Sequence, residues 1–245
     1  MRIKSIWLAA LLVPFAALAA GGGAPLESAN TDIHNQASLQ RGARNFVNYC
    51  LGCHSAQYVR WNRVQQDLGI PEQEFEKKLL PEGASLLGYV ISPMQSAQAA
   101  SWFGNAPPDL SLIARSRGTD YVFTFLKSFY ADPLRPSGVN NSVLPGTAMP
   151  HVLAPLQGVQ QGKFELVTHE GKTEKHLVGL EPGQPGELSA EQFDEFVRDT
   201  VNFLDYIGEP SKAHRENLGV WVILFLLLFF GLAYLLKAEY WKDVK

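Results

Sequence analysis

The sequence predicts a mainly α-helical domain with a small β-hairpin, followed by one C-terminal transmembrane helix. Apolar residues recur at helical spacing in three separate stretches, 35–50, 120–130 and 189–207. The stretch KFELVTHEGKTEKHLV has strand-forming residues on either side of a turn at Glu170-Gly171. Finally, LGVWVILFLLLFFGLAYLL, from Leu218 to Leu236, runs without a charge. At about 1.5 Å per residue it reaches about 28 Å, close to the hydrocarbon thickness of a bilayer.

The chain begins with Arg2 and Lys4, an apolar run interrupted by Pro14, and the small residues Ala17-Leu18-Ala19. A basic start, short apolar run and A-x-A site are the features of a cleaved secretory signal, which assigns residues 1–19 to export. Residues 20–210 then form one exported domain, and residues 211–245 form the anchor and its tail. Because the N-terminal part is exported and the apolar run stops transfer, the tail KAEYWKDVK is expected in the cytoplasm. Lysines and arginines on the two sides of the span are too evenly matched to orient it. Trp221, Tyr234, Tyr240 and Trp241 lie near its ends, where interfacial aromatics belong.

Within the exported domain, Leu39, Ala43, Phe46 and Cys50 mark the buried side of the first helix. Segment 72–80 reads as a short surface helix with a solvated acidic face. Thr119 is placed to cap a helix in which Tyr121, Phe125 and Phe129 share a stripe. Segment 131–162, rich in proline and glycine, reads as a structured loop. His169 and His176 read as exposed hairpin residues rather than ligands. Ser189 with Gln192 forms a capping box for the last soluble helix, whose apolar side carries Phe193, Phe196, Val197, Val201, Leu204 and Ile207. Gly208 and Pro210 end it and leave a short hinge before the span.

The chemistry sits in NYCLGCHSAQYVRWNR. Cys50 and Cys53 are the chain's two cysteines, and His54 follows at once. A disulfide framework needs partners at longer range, and a structural zinc site needs a second ligand pair; neither is present. A thioredoxin-type dithiol belongs in a βαβ setting, whereas the surroundings here are helical. Two thiols on one edge of a turn match the two vinyl groups of haem, and the histidine then lies beneath the ring as an iron ligand. One covalently attached haem c is the expected cofactor. Covalent attachment of this kind happens outside the bacterial cytoplasm, in agreement with the export signal.

The sixth ligand decides between an open haem that binds small molecules and a closed one that carries electrons. Met149 in LPGTAMPHVL, held among Pro145, Pro150 and Pro155, is the preferred candidate; Met94 and His151 are the alternatives. Histidine and methionine together raise the potential, which favours an electron carrier over an oxygen or peroxide enzyme. The formal charge of the chain is −3, and removal of residues 1–19 takes it to −5 by deleting Arg2 and Lys4 and no acid. Such a balance argues against nucleic acid and suits a basic partner. Glu72, Glu74, Glu76, Glu165, Glu170 and Glu174 are candidates for the docking patch.

In order along the chain, CLGCHSAQYVRWNR, WFGNAPPDLSLIARSRGTDYVF, PGTAMPHVL and the C-terminal anchor resemble the cytochrome c1 family, over nearly the whole mature sequence. The resemblance implies a class I cytochrome c-like haem domain with loop insertions. It implies thioethers at Cys50 and Cys53, His54 proximal and Met149 distal. It further implies that the Pro108 carbonyl holds the His54 imidazole and that Arg117 and Tyr121 reach a haem propionate. With both cysteines used, the distal loop is expected to be held by packing and proline alone. The implied role is that of the haem c subunit of a bacterial cytochrome bc1 complex, not an enzyme by itself. It would sit in the inner membrane beside cytochrome b and the Rieske iron–sulfur subunit, haem domain in the periplasm, and serve a soluble or tethered cytochrome c. A tethered cytochrome of a terminal oxidase or another respiratory chain is the alternative, and a haem enzyme or gas sensor with an open site is the rival from another class.

Overall fold

A computed structural model describes residues 25–169 and 172–243. The export signal expected at residues 1–19, and the Glu170-Gly171 turn, lie outside the described residues. The elements run α1 (Gln36–Asn45), a π-helical turn (Phe46–Cys50), β1 (Ala56–Arg60), α2 (Trp61–Asp67), α3 (Glu72–Lys78), β2 (Tyr89–Val90) and α4 (Ser96–Phe103). They continue with α5 (Ile113–Arg117), α6 (Thr119–Lys127), β3 (Phe129–Ala131), β4 (Val139–Asn141), α7 (Ala154–Gln157), β5 (Gly158–His169), β6 (Lys172–Pro185), α8 (Ala190–Gly208) and α9 (Lys212–Tyr240). Among the described residues helices dominate, with two sheets: β1–β2, and a four-stranded sheet ordered β4-β3-β5-β6.

The domain is organised around the crossing of α1 and α8. Gly42 makes the close approach possible: a Cβ there would lie 2.0 Å from the Asp199 carbonyl oxygen. Leu39, Ala43 and Phe46 are buried in the crossing, and Phe46 meets Phe203 with ring centroids 5.6 Å apart. Arg41 grips the buried Asp199 carboxylate with two hydrogen bonds, Nε to Oδ2 at 2.5 Å and Nη2 to Oδ1 at 3.0 Å. A paired buried carboxylate of this kind is costly to break, because removing either partner leaves the other desolvated. Asn45 Nδ2 donates to the Phe196 carbonyl and the Thr200 hydroxyl, and Asn202 Nδ2 to Ser38 Oγ and the Asp32 carbonyl. The segment before α1 straps α6 to α8: Ala29 N–H donates to Asp120, and Arg198 Nε to the Ala29 carbonyl.

Helix α8 begins with the capping box read from the sequence, Ser189 Oγ accepting from Gln192 N–H while the Gln192 side chain accepts from Ser189 N–H. Helix α6 is capped differently from expectation. Gly118 occupies the N-cap with φ 90° and Thr119 makes no side-chain cap. The helix also stops at Lys127, and Phe129 enters β3, where it pairs with Asn141. Tertiary pairing with β4 and β5 overrides the helical run of aromatics.

The segment read as a loop, 131–162, includes β4, α7 and the start of β5. The hairpin is likewise longer than the stretch 163–178: β5 has 12 residues and β6 has 14. Gly179, Pro182, Gly183 and Pro185 obscure β6 in the sequence. It is an edge strand, where proline is tolerated, and at Gly183 a Cβ would meet the Val159 carbonyl oxygen at 2.1 Å. Leu166 of β5, 75% exposed, stands near the far end of the hairpin.

Helix α9 is long and apolar enough to cross a membrane, and no part of its apolar window is buried. The break before it is braced rather than loose. Glu209 pairs with Arg115 of α5 and Arg215 of α9, and Lys212 pairs with Asp205, which is 9% exposed. A chain ending after Glu216 keeps these pairs and is expected to remain a soluble, folded domain. One ending after Ser211 loses both Lys212 and Arg215, and loss of the Lys212–Asp205 pair alone should lower stability by about 1 kcal/mol. Urea unfolding of the two truncated forms measures the difference, and equal midpoints would show the brace to be idle.

Candidate haem site

The π-helical turn delivers the cysteines. Leu51 N–H reaches back to the Phe46 carbonyl at 2.9 Å, and the N–H groups of Cys53 and His54 then converge on the Cys50 carbonyl at 3.0 and 2.8 Å. This tight turn sets Cys50 against the hydrophobic core while Cys53 and His54 remain half-buried. Single-turn π segments inside helices are common at functional sites. Burial, with Cys53 adding to it, pushes the free Cys50 thiol up to about 12. That is the reverse of the lowered value of a redox-active or metal-binding thiolate. Among the described residues no group of three or more His, Cys, Asp or Glu could hold a metal ion.

His54 is oriented from the other side. Its Nδ1 lies 2.8 Å from the Pro108 carbonyl oxygen. A carbonyl only accepts, so Nδ1 carries the hydrogen and Nε2 keeps its lone pair. Burial lowers the His54 pKa, against the opposing pull of the Pro108 bond and the Asp109 charge, and so favours the neutral imidazole an iron ligand must be. The residues after Pro108 are knitted to those after His54. Asp109 accepts from Gln57 N–H and Ser111 N–H at 2.9 Å each, Leu110 N–H donates to the Ser55 carbonyl at 2.8 Å, and Ser111 Oγ accepts from Tyr58 N–H at 3.1 Å. Reading the sequence missed Asp109 and Ser111; the Asp-x-Ser spacing of an Asx turn is the signal that points to them.

Arg117 and Tyr121 come together across the turn at Gly118. The guanidinium lies 5.5 Å from the Tyr121 ring centroid, and Tyr121 stacks on Phe125 at 6.3 Å. Phe125 in turn meets Phe129 edge-on at 5.3 Å, so the aromatic stripe survives the end of α6. Arg117 is exposed and Tyr121 half-buried at the margin of the core.

Met149 is half-buried and packs on the same core, with its N–H toward Thr147 Oγ1 at 3.4 Å. Met94 lies in the connection between β2 and α4, its N–H on Ser92 Oγ, and is not among the residues packed on the core. His151 is turned inward: it stacks on Phe129 with centroids 4.9 Å apart and planes 5° from parallel, and its Nε2 is 3.3 Å from the Gly158 carbonyl. His176 is an exposed β6 residue.

The loop that carries Met149 is held by more than packing and proline. Asn141, 0% exposed, donates from Nδ2 to the Phe125 carbonyl at 2.8 Å and accepts from Val143 and Leu144 N–H at 2.9 and 3.1 Å. Asn140 Oδ1 accepts from Gly146 N–H at 2.8 Å, and Arg135 donates to the Gly146 carbonyl at 2.7 Å. Two side-chain amides here replace much of the regular secondary structure the segment lacks, a role that composition does not reveal.

The donor set fits haem c: two closely spaced thiols, an imidazole whose Nδ1 is held by the Pro108 carbonyl so that Nε2 keeps its lone pair, and a thioether-bearing loop. Comparison with known proteins agrees. The Cytochrome C1 family model matches residues 27–161 and 186–244. This chain belongs to the cytochrome c1 family. It is therefore a haem-bearing electron-transport protein with the class I c-type haem domain. It is 51% identical to the cytochrome c1 of Allochromatium vinosum, over 96% of both chains. A Nitrosomonas europaea protein named ammonia monooxygenase gamma subunit is 42% identical over 99% of this chain and 98% of its own. The cytochrome c1 of Rhodospirillum rubrum is 27% identical over 96% and 97%. The internal stretch that the family model leaves out, 162–185, is nearly all of the β5–β6 hairpin, which the fold carries as an insertion beside the haem domain.

Proposed function

We propose that the protein accepts electrons from a Rieske iron–sulfur subunit and passes them to a cytochrome c, as the haem c subunit of a quinol–cytochrome c oxidoreductase. The observation that carries this reading is the His54–Pro108 hydrogen bond, which prepares one imidazole nitrogen for iron directly after the two cysteines. Cys50 and Cys53 would hold the haem through thioethers, with His54 and Met149 as axial ligands. When bound, haem supplies a one-electron couple whose potential depends on its axial ligands and their surroundings. The Pro108 carbonyl fixes the ring orientation of His54 and raises its basicity as a ligand. Arg117 and Tyr121 offer a cation and a phenol to a propionate. No bond is made or broken by this subunit.

Helix α9 would tether the domain to the bacterial inner membrane, with the haem domain in the periplasm and the tail KAEYWKDVK, residues 237–245, in the cytoplasm. Cytochrome b and the Rieske protein are the expected neighbours. Purification from native membranes, with a haem stain and an inventory of subunits, tests the reading. A haem-stained band accompanied by a b-type cytochrome and a Rieske protein supports it; the same band accompanied instead by oxidase subunits overturns it.

The mature charge of −5 makes a cytochrome c with a positive rim the expected acceptor. Charges on separate molecules are screened beyond about 8 Å at physiological salt, so acceptor reduction under second-order conditions should slow as ionic strength rises. The Rieske-to-haem step inside the complex should barely respond. On α3, Glu74 is already paired with Lys78 at 2.8 Å, which weakens that helix as the acidic patch. A rate that stays flat or rises with salt would point to an apolar or permanently tethered contact.

A further inference from the structure

We infer that Asn141 and His151 are positioning residues for the Met149 sulfur, one at each end of the loop that carries it. This rests on Met149 being the distal ligand. Asn141 closes the N-terminal end. It is fully buried, ties its amide to the last turn of α6 through the Phe125 carbonyl, and uses its oxygen to cap the N–H groups of Val143 and Leu144. His151 closes the C-terminal end. Its ring lies flat on Phe129 while Nε2 donates to the Gly158 carbonyl at the start of β5. Both ends are thereby fastened to one aromatic column, Phe125 and Phe129, whose centroids are 5.3 Å apart.

Between the ends, residues 142–150 have no helix or strand of their own. A thioether is a weak ligand for iron, so its retention depends on how firmly the loop holds it in place. A buried amide that serves three backbone groups cannot be deleted without leaving them unpaired and desolvated. The consequence of loosening either end is a sulfur that leaves the iron and a coordination position open to exogenous ligands.

The test uses full-length, membrane-bound protein with haem attached. Asn141→Leu keeps the volume of the side chain and removes its hydrogen bonds; His151→Phe keeps the stack on Phe129 and removes the bond to Gly158. The readouts are the long-wavelength sulfur-to-iron charge-transfer band of the ferric form and carbon monoxide binding by the ferrous form. Loss of the band with gain of carbon monoxide binding, in either variant with haem still covalently attached, is the expected result. If Asn141→Leu yields no haem protein, His151→Phe decides by the same readouts. Both signals unchanged from the parent in the haem-bearing variants overturns the inference. A parent protein that lacks the band, or a Met149→Leu variant that keeps it, instead overturns the ligand assignment beneath it.

Discussion

Exchanging Met149 for leucine is expected to leave the haem covalently attached while lowering its midpoint potential by on the order of a tenth of a volt or more. Leucine is close to methionine in volume, so the core should tolerate the change at a cost of about 1.5 kcal/mol at most, and the effect isolates ligation from folding. The cysteines and His54 are untouched, since their turn is built from backbone hydrogen bonds to the Cys50 and Phe46 carbonyls. In the proposed role, an electron from a Rieske centre would then run uphill, and quinol-dependent reduction of cytochrome c would be expected to slow. Redox titration of the membrane-bound protein measures the shift. A normal potential in Met149→Leu together with a lowered one in Met94→Leu would move the ligand to the loop before α4.

The largest effect on stability is expected at Gly42. Alanine favours a helix interior by about 1 kcal/mol over glycine, and on that ground alone Gly42→Ala would stabilise α1. The crossing reverses the sign. The added Cβ would lie 2.0 Å from the Asp199 carbonyl oxygen and 2.8 Å from Phe203 Cβ, and backbone cannot rotate away as a flexible side chain can. Helices α1 and α8 must separate, which loosens the Phe46–Phe203 contact and the Arg41–Asp199 pair together. A net loss of roughly 3 kcal/mol is expected, at the upper end for overpacking. For a domain of this size that lowers Tm by on the order of 10 °C. Thermal unfolding followed by far-ultraviolet circular dichroism reads it, and an unchanged or higher Tm would mean that the crossing separates without cost.

What the sequence by itself determined is local. Cys50, Cys53 and His54 fall within one turn, so their spacing alone states their grouping. The capping box at Ser189 and the end of α8 at Gly208 were legible for the same reason, since caps are made within four residues. The apolar length of α9 needs no partner to be recognised.

Tertiary structure decided whatever depends on residues far apart in the chain. Phe129 left the helical stripe because β4 offered its backbone a ladder, which Tyr130 and Ala131 extend to β5. Strand β6 took in glycines and prolines that read as breakers, because it is an edge strand and passes too close to Val159 for any side chain at Gly183. Asn141 became a support for the Met149 loop only when folding brought α6 to within hydrogen-bonding distance, 16 residues back along the chain. His151, a possible ligand by its position, was turned onto Phe129 instead. A hydrogen bond or a close approach between distant segments leaves no period and no spacing in the sequence; only the packed chain supplies the second partner.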